Sequence, residues 1–174
     1  MEEKIKVLIE EEKVSKRIEE IAEQISKDYK NEEILLVCIL SGAVYFTVEL
    51  SKKIKNGLVK LDFMKVSSYG NNTQTTGKLD FKLDISKDIE GKNVIIVEDI
   101  IDTGITLSYL YDYLEKKHPK TLKICVLLDK KERREKDIKV DYVGFKIENK
   151  FVVGCGLDYA EKYRELPYVG YIEL

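Results

Sequence analysis

The sequence predicts an α/β fold: a twisted, mainly parallel sheet with helices on both faces. Three observations carry that expectation. Apolar runs at 34–40 and 94–97 are unbroken, and one at 122–128 is interrupted only by Lys123, as suits strands covered on both sides. Between them lie segments whose apolar residues recur at helical rather than alternating spacing. Strand and helix then alternate along the chain, the order that builds a parallel sheet through crossover connections.

Taken in order, Val14, Ile18, Ile21, Ala22, Ile25 and Tyr29 recur every three or four residues, which predicts an amphipathic helix over 15–28 with Ser15 as its cap. A buried strand over 34–40 ends at Ser41-Gly42-Ala43. A helix over 44–55 follows, closed by Asn56-Gly57. Residues 61–68 alternate enough for a strand, and 69–77 form a polar, mobile loop too long for a simple hairpin turn. A strand over 94–98 leads into a helix over 106–117, stopped at His118-Pro119, and then a strand over 122–128. A charged connector, 130–139, precedes two further strands at 140–147 and 151–157.

At 174 residues the chain fits one domain, long enough to bury a full core. Its net charge of -2 argues against a general nucleic-acid binder, which would be basic. Cys38, Cys125 and Cys155 are odd in number, lie in apolar runs and have no CxxC spacing, so reduced, buried thiols in a cytosolic compartment are expected. No His and Cys cluster supports zinc binding or cysteine catalysis. The N-terminus is charged and no stretch approaches membrane-spanning length, so a cytoplasmic protein without a membrane partner is expected.

Function is expected beyond the carboxyl ends of the strands, where 41–42, 67–77, 98–106 and 129–130 compete for a site. The segment from Val94 to Leu107 is the most informative, reading as a strand that stops on Glu98 and Asp99, turns through Asp102-Thr103-Gly104, and opens a helix. Carboxylates accept protons from ribose hydroxyls or bind a hard cation. The first N–H groups of a helix are unpaired and sit at its positive end, so they bind anions. One ligand needs both features: a ribose 5-phosphate. On spacing alone, a metal pocket or a helix cap competes with this reading.

The full string Glu98-Asp99-Ile100-Ile101-Asp102-Thr103-Gly104-Ile105-Thr106-Leu107 resembles the phosphoribosyl-pyrophosphate loop of the type I phosphoribosyltransferases, in the form of their 6-oxopurine branch. The tail, Asp141 to Ile147 and Phe151-Val-Val-Gly-Cys-Gly-Leu-Asp158-Tyr with Arg164 beyond, extends the likeness over nearly the whole chain. The resemblance implies a small hood built from the chain ends, with purine salvage as the activity. The phosphoribosyl group of phosphoribosyl pyrophosphate would pass to hypoxanthine or guanine, giving IMP or GMP and pyrophosphate, with magnesium. A homodimer or homotetramer is implied as well.

By the same resemblance, Glu98 and Asp99 hold the ribose hydroxyls and, with Asp158, supply metal ligands. Asp102, Thr103, Gly104, Ile105 and Thr106 cradle the 5-phosphate, while the Asp102 carboxylate faces purine N7 as general acid or base. Its competing role is a cap on the following helix. Lys130 donates to the exocyclic O6; a lysine has only donors, so a 6-amino group is disfavoured. The alternative is a solvated lysine in a charged run. Phe151 stacks on the purine or, otherwise, fills the core. Val152 pairs with the base edge through its backbone, and Asp158 belongs to the purine site too. Ser41, Gly42 and Arg164 contact pyrophosphate, Arg164 with a planar fork of donors. Ser68 and Tyr69 belong to a loop that closes over the transition state.

Ser41 and Ile105 stand where other members carry lysine, and the Leu40-Ser41 bond matches a site of non-proline cis peptides in the family. Rival readings are a xanthine-preferring relative, a regulatory relative that binds nucleic acid, and a phosphate-accepting receiver. The acidic net charge opposes the second and the Thr-Gly-Ile-Thr anion loop the third.

Overall fold

The computed structural model describes residues 4–55, 57–67 and 80–173. Its main sheet has six strands: β2 (Ile34–Ile39), β3 (Val59–Ser67), β4 (Asp80–Leu83), β5 (Asn93–Ile101), β6 (Thr121–Asp129) and β7 (Tyr142–Lys146). They lie in the order β4-β3-β2-β5-β6-β7, all neighbours parallel except the antiparallel pair of β3 and β4. The strand order reverses direction between β2 and β5, and ligands gather outside the carboxyl ends at such a switch point.

Successive residues of a strand face opposite sides, so each central strand feeds two cores. Ile34 and Leu36 of β2 join Ile95, Val97, Cys125 and Leu127 beneath α1 (Glu11–Asp28) and α2 (Val44–Lys53). Leu35, Val37 and Ile39 join Val94, Ile96, Ile124 and Val126 beneath α3 (Ile105–Glu115), which contributes Leu107, Leu110 and Leu114. Burying each such side chain is worth about 1.5–3 kcal/mol, and this two-faced burial gives the loops at the sheet's rim a firm base. The three cysteines are free and buried, as expected from their apolar settings.

Several boundaries differ from expectation. Helix α1 begins at Glu11, so Ser15 lies inside it and caps nothing; Glu11 and Glu12 occupy the first turn, where acidic side chains offset the helix dipole. Helix α2 ends at Lys53, and Asn56, the expected stop, lies outside the described residues. Strand β5 does not stop on its carboxylates. Its ladder to β6 continues through Glu98 opposite Val126, Ile100 opposite Leu128 and Ile101 opposite Asp129.

The strand expected over 151–157 shrinks to β8 (Val152–Val153), because Gly154, Cys155 and Gly156 all take positive φ and cannot extend a ladder. Nor does β8 belong to the main sheet. It pairs antiparallel with β9 (Val169–Ile172), which pairs in turn with β1 (Ile5–Ile9). This three-stranded sheet is the hood built from the chain ends. At the open edge of the main sheet, Arg17 of α1 donates to the carbonyl oxygens of Val143 at 2.7 Å and Gly144 at 3.0 Å, covering part of β7.

Candidate active site

The site assembles where β2, β5 and β6 end. After β2 the chain passes through a cis peptide between Leu40 and Ser41 into Gly42. A Cβ on Gly42 would lie 1.7 Å from Asp99 Oδ2, so only glycine lets this turn reach the carboxylate. Gly156 approaches from the tail in the same way: at φ +102° its Cβ would lie 1.9 Å from the Gly42 carbonyl oxygen. Asp99, Gly42 and Gly156 therefore form a stack with no room for a side chain.

Asp99 Oδ1 accepts the Ile100 N–H at 2.7 Å, and Glu98 Oε1 accepts the Asp99 N–H at 3.1 Å. Burial pushes the Glu98 carboxyl well above the usual carboxylate range, and the Asp99 charge adds to the shift. Burial raises Asp99 as well, against hydrogen bonds from Glu98 and the Ile100 N–H and the charge of Arg164. Two adjacent carboxylates in such a place resist carrying two charges together.

Past Asp99, residues 98–104 with Thr106 and Leu107 line a cavity of about 220 Å³. Gly104, at φ +80°, is the N-cap of α3, and Thr103 Oγ1 accepts the Ile105 N–H at 3.3 Å. Asp102 is thus not the helix cap. Its Oδ1 is buried without a hydrogen-bond partner among the described residues; Arg133 Nε stands 3.3 Å away and pairs with it in charge only.

Lys130 follows β6 directly. It is buried, not solvated, and its backbone N–H donates to the Ile101 carbonyl at 3.0 Å. Burial lowers its pKa, and the nearby Asp102 charge opposes that shift. Its neighbour Lys131 is exposed.

Phe151 is 41% exposed, so it is no core residue, and its ring meets Tyr159 edge-on at 5.4 Å. Val152 is buried and lies opposite Tyr171 of β9. Asp158 Oδ1 pairs with Arg164 Nη2 at 2.8 Å, and its Oδ2 accepts the Glu161 N–H at 2.8 Å. Arg164 Nη1 also donates to the Gly156 carbonyl at 2.6 Å, which ties it to the stack on Asp99. Ser41 is exposed at the mouth of the turn, and Ile105 and Thr106 open α3. Ser68 and Tyr69 fall between β3 and β4, outside the described residues.

Among the described residues no three His, Cys, Asp or Glu side chains converge on a metal position. The donor set still fits magnesium, which binds through one or two carboxylates plus substrate phosphates rather than in an all-protein cage. Glu98 and Asp99 are such a pair of adjacent hard oxygen donors; Asp158 is already engaged by Arg164.

Sequence reasoning passed over Arg133 and Arg134, and gave Asp129 no role beyond its place in the 129–130 segment. The run from 130 to 139 reads as a charged connector, yet Arg134 pairs with Asp129 while donating to the Asp102 carbonyl at 3.2 Å. The available signal was an acidic residue ending a strand with an arginine five residues on.

Residues 7–160 match the phosphoribosyl transferase domain, and the chain belongs to that family. Within it, the similarity runs to enzymes of 6-oxopurine salvage. The chain is 45% identical over 168 residues to the hypoxanthine-guanine phosphoribosyltransferase of Bacillus subtilis, covering 97% of this chain and 93% of that one. It is 45% identical over 171 residues to the Aquifex aeolicus enzyme of the same name, covering 98% and 96%. The crystal structure of a hypoxanthine-guanine phosphoribosyltransferase from Bacillus anthracis superposes with a TM-score of 0.93 at 48% identity, covering 99% of this chain and 100% of that chain. A hypoxanthine phosphoribosyltransferase from Staphylococcus aureus gives 0.92 at 42% identity, covering 97% and 91%.

Proposed function

We propose that this chain transfers the phosphoribosyl group of phosphoribosyl pyrophosphate to hypoxanthine or guanine, forming IMP or GMP and pyrophosphate. One observation carries the reading. A carboxylate with one oxygen free of hydrogen bonds among the described residues, Asp102, stands beside a buried lysine, Lys130, at the entrance to a glycine-opened helix start.

In this scheme the backbone donors of 103–106 and the Thr103 and Thr106 hydroxyls grip the 5-phosphate. Glu98 and Asp99 accept from the ribose hydroxyls. Magnesium, when bound with the substrate, neutralises charge that builds on the departing pyrophosphate. Arg164 and the backbone of Ser41 and Gly42 receive that pyrophosphate, and Asp158 orients Arg164. Phe151 offers its exposed face to the purine ring and Val152 its backbone to the base edge. Lys130 donates to O6, and Asp102 Oδ1 accepts the proton that N7 sheds as the bond to the anomeric carbon forms. Ser68 and Tyr69, between β3 and β4, are assigned to closing the site against water.

The whole chain, 1–174, is taken as a single domain. Purine salvage of this kind suits a cytoplasmic enzyme, and among the described residues no helix is long and apolar enough to cross a membrane. A homodimer or homotetramer is proposed on family likeness, and sedimentation giving a stable, active monomer would overturn it.

The test is a base panel with phosphoribosyl pyrophosphate, with and without magnesium. Hypoxanthine and guanine are expected to turn over only with the metal, adenine and uracil hardly at all. Adenine turnover comparable to hypoxanthine would remove the role given to Lys130, and no turnover of any 6-oxopurine would overturn the reading as a whole. Xanthine decides between this reading and its xanthine-preferring relative.

A further inference from the structure

The four carbonyl groups from Ile101 to Gly104, at the start of the phosphate loop, are all spoken for. Ile101 accepts from the Lys130 N–H at 3.0 Å, and Gly104 from the Ser108 N–H at 2.9 Å. Thr103 accepts from the N–H groups of Glu135 at 2.9 Å and Lys136 at 3.0 Å. The remaining one, on Asp102, accepts from a side chain, Arg134 Nε, at 3.2 Å. A peptide is planar and its C=O and N–H point opposite ways. Turning the Asp102 and Thr103 carbonyls toward the connector therefore turns the N–H groups of Thr103 and Gly104 away from it, to the face on which an anion is held.

The Arg134 side chain is only 15% exposed and is anchored at its far end by Asp129, whose side chain is 10% exposed. Its stem is fitted to the loop too: a Cβ on Gly104 would lie 2.9 Å from Arg134 Cδ. Arginine is suited to this position because Nε and Nη2 serve two separate acceptors at once, which a lysine ammonium on its flexible stem does not reproduce.

We propose that Arg134 is a positioning residue for the 5-phosphate, acting through the loop carbonyl and never touching substrate. This rests on reading 102–106 as the phosphate loop. Its work is preorganisation: it aims donors before the ligand arrives, so its loss is paid selectively by the phosphate-bearing substrate.

The experiment compares wild type with Arg134→Lys, Arg134→Gln and Asp129→Asn. Ribose 5-phosphate binding is read by calorimetry, and the Michaelis constants for phosphoribosyl pyrophosphate and hypoxanthine are measured separately. Arg134→Lys keeps a charge for Asp129 and should fold, yet bind ribose 5-phosphate about tenfold more weakly, the loss expected of one charge-assisted hydrogen bond. KM for phosphoribosyl pyrophosphate should rise similarly while KM for hypoxanthine stays within about threefold, because Lys130 is held by its own backbone bond. Asp129→Asn, which frees the anchor from the other side, should reproduce that split even where Arg134→Gln does not fold. Ribose 5-phosphate affinity within twofold of wild type in Arg134→Lys or Asp129→Asn overturns the role, as does an equal rise in both Michaelis constants. A wild-type enzyme that fails to bind ribose 5-phosphate at all overturns the phosphate-loop reading instead.

Discussion

Among the described residues, Asp102 has one oxygen buried without a hydrogen bond and paired only in charge with Arg133, one residue ahead of Thr103 and two ahead of the glycine that opens α3. A buried acceptor without a hydrogen bond costs stability, a cost the Arg133 charge offsets only in part, and such a group calls for a functional explanation. The arrangement gives a sharp prediction. Asp102→Asn keeps the size of the side chain and the backbone contacts of its carbonyl, but loses the charge proposed to take the purine proton. Its kcat should fall by about a hundredfold or more, the usual worth of a general base. Phosphoribosyl pyrophosphate affinity should stay within a few-fold, since the proposed grip on the 5-phosphate comes from other groups of the loop. Single-turnover kinetics with direct binding separate the two effects. A near-normal kcat would send the proton elsewhere, and lost affinity with kcat preserved would make Asp102 an organiser of the loop.

At the scale of elements, periodicity made the central strands and the helices legible because each buries a whole face or stripe. The short strands were harder: Ile5–Ile9, Asp80–Leu83 and Val169–Ile172 carry too few residues for a period, and β1 finds its partner at the other end of the chain. The site motif at 98–106 was readable because its chemistry is local, whereas the Arg134 strap depends on the connector folding back, which spacing does not reveal. The β3–β4 hairpin has a similar hidden tie. Asp62, buried in β3, accepts from the N–H groups of Phe63, Ser86 and Lys87 and from the Ser86 hydroxyl. Burial alone would raise its carboxyl; these donors outweigh burial and hold it below its ordinary value. A depressed folded pKa contributes stability that is present above the unfolded value of about 3.9 and is lost as pH falls through the folded value. Asp62→Asn turns an acceptor into a donor facing N–H groups, and should cost about 2–3 kcal/mol at pH 7. That gap should narrow below about pH 4, as wild type itself becomes protonated. Denaturant unfolding of both proteins at neutral and acid pH checks it; a gap independent of pH would mean that packing, not the carboxylate, is what Asp62 supplies.

On the proposed assignment, the molecule as a whole divides its ligand between two bodies of different robustness. The phosphate end rests on β5 and α3, deep in the doubly covered sheet. The base end rests partly on the hood, where β8 has two residues and is held by β9, while the Phe151 carbonyl accepts the Ile172 N–H at 3.0 Å. Removing residues 168–174 deletes β9 and with it the buried side chains of Val169 and Ile172. By area this forfeits about 3–6 kcal/mol, against the roughly 5–15 kcal/mol by which domains are stable, so the sheet should survive in weakened form. Without β9, neither Val152 nor Phe151 has its backbone partner, and the edge contact and stacking face proposed for the purine are both undermined. The truncated enzyme should therefore bind ribose 5-phosphate within a few-fold of wild type while KM for hypoxanthine rises by about tenfold or more. Circular dichroism first establishes that the sheet remains, and calorimetry and steady-state kinetics then read the two ends separately. An unchanged hypoxanthine KM would show that the hood does not hold the base, and equal losses at both ends would show that sheet and hood fold as one cooperative unit rather than as a rigid platform with a dependent cover.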